Sequence, residues 1–89
     1  MAPLELSGVL ALKPTLRIER MEVGVAFLIG ERERFVISGA DSVAVALLVD
    51  GSRTVDDILR IASARMSEPA ALYHLSQLAA RGYLVPTDP

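Results

Sequence analysis

Apolar and polar positions change period twice along this chain, and the changes divide it into elements. Leu16-Arg17-Ile18-Glu19-Arg20-Met21 alternates apolar and charged residues with period two, the pattern of a half-buried strand. Gly24 interrupts it, and Val25-Ala26-Phe27-Leu28-Ile29 reads as a second, more buried strand. Gly30-Glu31-Arg32-Glu33 is a polar hairpin connection, and Arg34-Phe35-Val36-Ile37-Ser38 is a third strand, β-branched and aromatic. Strands joined by such short links form an antiparallel meander.

Beyond Ser38 the period becomes helical. Asp41 to Val49 is ambiguous, because its β-branched residues suit a strand. Asp41 or Ser42 as an N-cap, with Asp50-Gly51 as a left-handed exit, favours a short buried helix. The next helix is capped by Thr54, with Asp57 three positions on completing an approximate capping box. Val55, Ile58, Leu59, Ala62 and Met66 then share one face. A last helix starts at Ser67 or Glu68, tolerates Pro69 in its first turn, and carries Leu72, Leu75, Leu78 and Ala79 as its apolar stripe. Gly82 falls at the position after its end, and Tyr83-Leu84-Val85 is expected to return as a short strand to the sheet. Strands followed by helices indicate an α+β fold: a winged helix-turn-helix with a three-stranded antiparallel sheet followed by three helices.

At 89 residues this is one domain, long enough for a single modest core. Residues 13–85 read as the domain, 1–12 as an apolar N-terminal extension without an assigned place, and 86–89 as a linker or tail. The two prolines in that tail suggest a domain cut from a longer protein. Met1–Leu12 lacks a basic start and carries Glu5, so it makes a poor signal peptide. No apolar run reaches the ~20 residues of a bilayer span. With no cysteine, disulfides, thiolate metal sites and a cysteine nucleophile are excluded, and a cytoplasmic location is expected.

Little in the chain carries chemistry. His74 is the only histidine, so a metal set of three or four ligands cannot be assembled around it, and it reads as a solvated helix residue beside Tyr73. Serines 7, 38, 42, 52, 63, 67 and 76 have no base beside them in sequence, and Ser42 and Ser67 read as helix caps. Ser76 and His74, two apart on a helix, point in different directions. Asp56 and Asp57 lie in a first helical turn, where the dipole favours negative charge. The glycines form neither a phosphate loop nor a dinucleotide fingerprint. No catalytic, metal or cofactor site is expected, and the chain does not read as an enzyme. Nucleic acid is disfavoured too. The net charge is −2, and between Glu68 and Arg81 the last helix offers Arg81 as its one permanent cation. Glu31-Arg32-Glu33-Arg34 reads as a solvated hairpin tip whose charges cancel.

The segment Leu47-Leu48-Val49-Asp50-Gly51-Ser52-Arg53-Thr54-Val55-Asp56-Asp57-Ile58, followed by a helix ending Leu78-Ala79-Ala80-Arg81-Gly82-Tyr83-Leu84, resembles the PqqD-like RiPP recognition element over about Leu12 to Val85. Lys13-Pro14 and Asp-Gly-x-Arg-Thr-Val look closest to the version at the N-terminus of partner proteins of azoline-forming YcaO cyclodehydratases. Val49, where leucine is commoner, and the Met1–Leu12 extension depart from the pattern. The resemblance implies capture of the leader peptide of a ribosomally made precursor, added as a strand on the edge of the third strand and against the last helix. The implied peptide-binding residues are Arg34, Phe35, Val36, Ile37 and Ser38 on the strand, and Tyr73, Leu75, Gln77, Leu78 and Arg81 on the helix. Phe35 and Ile37 would floor the groove, Val36 and Arg34 would point the other way, and Arg34 and Arg81 could meet leader carboxylates. The implied partners are a precursor leader and a YcaO-type or other peptide-modifying enzyme, without nucleic acid or membrane. The alternative is a winged-helix DNA-binding regulator, or a small dimerisation module using the same edge as a homodimer.

Overall fold

The computed structural model describes Glu5 to Thr87; residues 1–4 of the N-terminal extension and residues 88–89 of the tail lie outside the described residues. The elements run β1 (Leu10–Leu12), β2 (Arg17–Glu22), β3 (Val25–Ile29), β4 (Arg34–Ser38), α1 (Ala40–Leu48), α2 (Val55–Ala62), α3 (Glu68–Ala80) and β5 (Leu84–Pro86). The meander forms in the order β2-β3-β4, so the fold is the expected α+β arrangement of a three-stranded antiparallel sheet and three helices, the layout of a winged helix-turn-helix. On β3, Ala26 and Leu28 are buried while Val25, Phe27 and Ile29 are half-buried, so alternation sends one set beneath the helices and leaves the other on the open face. Leu28, Val45, Val55, Ile58 and Leu75 are the largest wholly buried side chains and join the sheet to all three helices.

Three expectations are corrected. The chain after Gly82 does not rejoin the meander: β5 pairs antiparallel with β1, matching Leu10 with Pro86 and Leu12 with Leu84 in a separate two-stranded sheet. Leu10–Leu12 is too short and too uniformly apolar to mark itself in the sequence as the partner of the returning strand. Secondly, α1 begins at Ala40, with Gly39 rather than Asp41 or Ser42 as N-cap and no side-chain cap. Gly39 turns at φ 104°, donates its N–H to Gly24 as the last rung of the sheet, and its carbonyl accepts from Val43 as the first bond of the helix. That conformation is open to glycine and strained for other residues, so the strand passes directly into the helix. Thirdly, Leu72 is 36% exposed. Ala71 takes its place in the core beside Leu75 and Leu78, because the helix rotates its small side chain toward its neighbours.

The segment between α1 and α2 is a joint held by its own side chains. The Asp50 carboxylate accepts from the Ser52 N–H (2.9 Å), the Ser52 hydroxyl (2.8 Å) and the Arg53 N–H (3.2 Å), while Gly51 turns at φ 82°. The Arg53 guanidinium donates to the Leu48 carbonyl at the end of α1 (3.0 Å). Thr54 then opens α2 with the full capping box: its hydroxyl accepts from the Asp57 N–H (3.0 Å) and its own N–H donates to the Asp57 carboxylate (3.1 Å). The first two donors of α2 are satisfied from further away, Val55 by the Gly8 carbonyl and Asp56 by the Leu6 carbonyl, both at 2.9 Å. The segment preceding Lys13 thus caps a helix as well as pairing a strand.

These bonds shape the response to acid. Hydrogen bonds from Ser52, with the Arg53 charge, lower the Asp50 pKa, and hydrogen bonds from Thr54, with the Arg60 charge, lower that of Asp57. A carboxylate lowered in the folded state stabilises it fully above the unfolded value of about 3.9, and that contribution is lost as pH falls through the lowered value. The urea midpoint should therefore hold from neutrality to about pH 5 and fall below about pH 4. Asp50→Asn with Asp57→Asn should give a smaller acid-induced fall from a lower neutral starting point. A chain beginning at Lys13 should be less stable by more than about 3 kcal/mol in urea unfolding, because it loses buried Leu10, the β5 partner and two helix caps.

Candidate functional site

The sheet has two open edges of different character. β2 is blunted by Arg17, Glu19, Arg20 and Glu22 and by a shift of register between Arg20 and Glu22, the usual defences against unwanted strand pairing. β4 carries one charge, Arg34, followed by Phe35, Val36, Ile37 and Ser38, in unbroken register with β3. Gly30 donates to the Glu33 carbonyl and Gly39 to the Gly24 carbonyl. Counting from those two rungs, Phe35 with Leu28 and Ile37 with Ala26 are the hydrogen-bonded pairs. The backbone N–H and C=O groups of Arg34, Val36 and Ser38 therefore face outward, and among the described residues no hydrogen bond engages them.

Residues of α3 share a cleft with this edge. Tyr83, just beyond α3, packs on Phe35 with ring centroids 4.9 Å apart, while His74 lies at the far end of β4, its Nδ1 2.9 Å from the Ser42 hydroxyl on α1. Between these ends is an open cleft of about 230 Å³ lined by Ile37, Ser38, Ser42, Tyr73, His74, Gln77, Leu78 and Arg81. Its volume leaves room for a side chain. His74, Gln77, Leu78 and Arg81 fall at i, i+3, i+4 and i+7, one stripe of α3, while Ala71 and Leu75 lie on the neighbouring buried stripe.

Of the ten residues proposed from the sequence, Ile37, Ser38, Tyr73, Gln77, Leu78 and Arg81 meet in this cleft. Leu75 is wholly buried behind it, and Phe35 is half-buried against Tyr83. Val36 is 50% exposed on the open face of the sheet, and Arg34 lies on that face with its guanidinium 5.7 Å from the centre of the Phe27 ring. Arg34 and Arg81 are therefore on opposite sides of β4. The reading of His74 as a solvated residue is corrected. It is half-buried, bonded to Ser42 and in edge contact with Tyr73 at 5.4 Å. Ser42 lies 32 positions away, and its hydroxyl, expected to cap α1, serves this bond instead. Sequence reasoning missed both cleft residues; the stripe spacing that includes Gln77 and Arg81 was the available signal for His74, and no local signal existed for Ser42.

No carboxylate lines the cleft, and Arg81 has no acidic partner among the described residues. Asp56 and Asp57 are paired with Arg60 at 3.2 and 2.9 Å, and Asp41 with Arg65 at 3.3 Å, all away from it. Among the described residues no three or more His, Asp or Glu side chains group to hold a metal, and no helix is long and apolar enough to cross a membrane.

Fold and site together define a small α+β domain with an undefended sheet edge beside a helix-walled cleft. Two solved structures share this fold: the heterocyclase TruD, at a TM-score of 0.85 and 24% identity, and a heterocyclase in complex with substrate and cofactor, at 0.84 and 24%. Each match covers 92% of this chain but only 12% and 11% of the heterocyclase chains, so the chain spans about a ninth of their length. No known protein-family pattern matches the sequence, and no curated protein matches it.

Cleft and core should separate on mutation. Leu75→Ala should cost about 2–5 kcal/mol by opening a cavity in the core. Gln77→Ala and Arg81→Ala should change stability by less than about 0.5 kcal/mol in the same urea titration.

Proposed function

We propose that this chain is a non-catalytic peptide-binding domain that takes up an extended leader segment as a fourth strand on β4, against α3, and presents the rest of a ribosomally made precursor to a modifying enzyme. The observation that carries this reading is the asymmetry of the sheet: β2 is defended by charge and a bulge, whereas β4 leaves three residues' backbone groups unpaired next to a side-chain cleft. Backbone pairing supplies affinity that does not depend on sequence, and the cleft supplies selection. The shared fold with part of two heterocyclases supports the setting, and the resemblance of the α1–α2 joint and of the Arg81-Gly82-Tyr83-Leu84 ending to leader-binding domains supports the ligand class. The modifying chemistry belongs, on this reading, to a separate body such as a heterocyclase. A DNA-reading role is not favoured, because α3 would bring only Arg81 as a permanent cation.

The test is fluorescence anisotropy with a labelled leader from a precursor encoded beside this chain. Ordering a flexible segment costs on the order of 2–5 kcal/mol, so binding should be selective and reversible. Val36→Pro removes an outward N–H while leaving the β3–β4 rungs intact, a change that edge strands tolerate. Its circular dichroism should match the parent while leader affinity falls about tenfold or more. Unchanged affinity in Val36→Pro would exclude strand addition on β4.

A further inference from the structure

A second groove, of about 180 Å³, shares no residue with the β4–α3 cleft. Ala40, Val43, Ala44 and Leu47 line it at i, i+3, i+4 and i+7, one stripe of α1, and the β2–β3 connection borders it. That connection is the two-residue turn Val23-Gly24, with Glu22 opposite Val25. Gly24 turns at φ 81° and its carbonyl accepts from the Gly39 N–H (2.9 Å), so the turn is tied to the start of α1. Val23 at the tip is 93% exposed, and Met21 nearby is 56% exposed. Turn tips ordinarily carry glycine, asparagine or aspartate. A lone exposed apolar residue is common, but a valine on a tethered tip beside an apolar groove makes a knob next to a hole. Arg20 and Glu22 also line the groove, and among the described residues neither has an ion-pair partner. Arg65, the other charge in the lining, is engaged with Asp41 at 3.3 Å.

We propose that this groove takes a second copy of the chain about a two-fold axis, each copy seating Val23 on the Ala40 and Ala44 stripe of the other. The occupant follows from the self-complementarity of the patch. In a two-fold contact each residue that meets another is met by it in return, so one patch must supply both halves of every contact. This one does: it holds a knob and a hole, and an unpaired cation and an unpaired anion on the same turn. The axis brings Arg20 of each copy to Glu22 of the other, whereas a partner of a single charge sign would leave one of the two unmet. The patch has fewer residues than the ~20–30 a side of a standard interface, so the dimer is weak and exchanges readily. The β4 edge and its cleft take no part, which makes the contact independent of peptide binding and distinct from edge-to-edge pairing of β4.

Sedimentation equilibrium tests this directly. The chain should be monomeric at about 10 µM and mostly dimeric at about 1 mM. Val23→Asp alters a side chain outside the core, so it should keep the parent circular dichroism while remaining monomeric across that range. Val36→Pro, which disables the β4 edge, should dimerise like the parent. Arg20→Glu and Glu22→Arg give the sharpest comparison. Each alone sets like charges against one another across the axis and should weaken dimerisation about tenfold or more. Mixed in equal amounts, one variant brings two carboxylates and the other two guanidinium groups, and a heterodimer should form where neither variant associates with itself. A parent that stays monomeric at the highest concentration would overturn the proposal. So would a dimer that survives Val23→Asp, a dimer lost in Val36→Pro, or charge variants that associate no better mixed than apart.

Discussion

The pairing of Leu10–Leu12 with Leu84–Pro86 is the interaction on which the remaining geometry depends. It draws the two ends of the described chain together and is extended by Lys13 donating to the Tyr83 carbonyl (2.8 Å) and Thr87 to that of Val9 (2.9 Å). The end of α3 is thereby fixed. Gly82, at φ 82°, closes that helix by donating to Ala79, and Tyr83 follows by donating to Leu78, which together make a Schellman ending. Tyr83 is then delivered onto Phe35 at the start of β4. At the other end of the strand, Gly39 turns directly into α1 and places Ser42 opposite His74. The spacing between α3 and β4 is thus held at one end by Tyr83 on Phe35 and at the other by the Ser42–His74 bond, which belongs to the cleft lining itself.

An unpaired strand edge is ordinarily a hazard, because it templates association with any other extended chain. Here the hazard is confined. The β2 edge carries four charges and a bulge, β1 and β5 satisfy one another, and the β4 edge is three outward residues long. The open sheet face beside it is capped in part by Arg34 over Phe27. A short edge provides few hydrogen bonds, so an arbitrary strand gains little from docking there. A strand that also filled the cleft would gain more, and a difference of that kind is what selectivity requires.

The sequence carried the meander and the last two helices clearly because their signals are local. Alternation in Leu16–Met21, the capping box of Thr54 and Asp57, and Gly82 after a helical stripe each follow from neighbours within a few positions. What escaped was non-local. Leu10–Leu12 is apolar with no pattern of its own, and its role depends on a partner more than seventy positions away. Ser42 had a plausible local task as a cap and serves a distant histidine instead. Leu72 lost its place to Ala71 because close packing between helices rewards a small side chain, a preference that hydrophobic periodicity alone does not register. The site was legible as two lines of residues, one on β4 and one on α3; which members met depended on the rotation of each element. That rotation buried Leu75 and carried Arg34 to the opposite face.

Net charge and local charge play different parts in such a surface. At physiological salt the screening length is about 8 Å, so the net charge of −2 exerts little pull or push on an approaching charged molecule. Long-range steering is therefore weak, and discrimination falls to groups that act within contact distance. An acid-free cleft on an acidic domain suits that regime: Asp41, Asp50, Asp56 and Asp57 are each engaged with an arginine of the chain itself, while Arg81 is left without an acidic partner among the described residues. Arg53, Arg60 and Arg65 are thereby occupied within the chain, whereas Arg81, at the β4–α3 cleft, meets no carboxylate among the described residues.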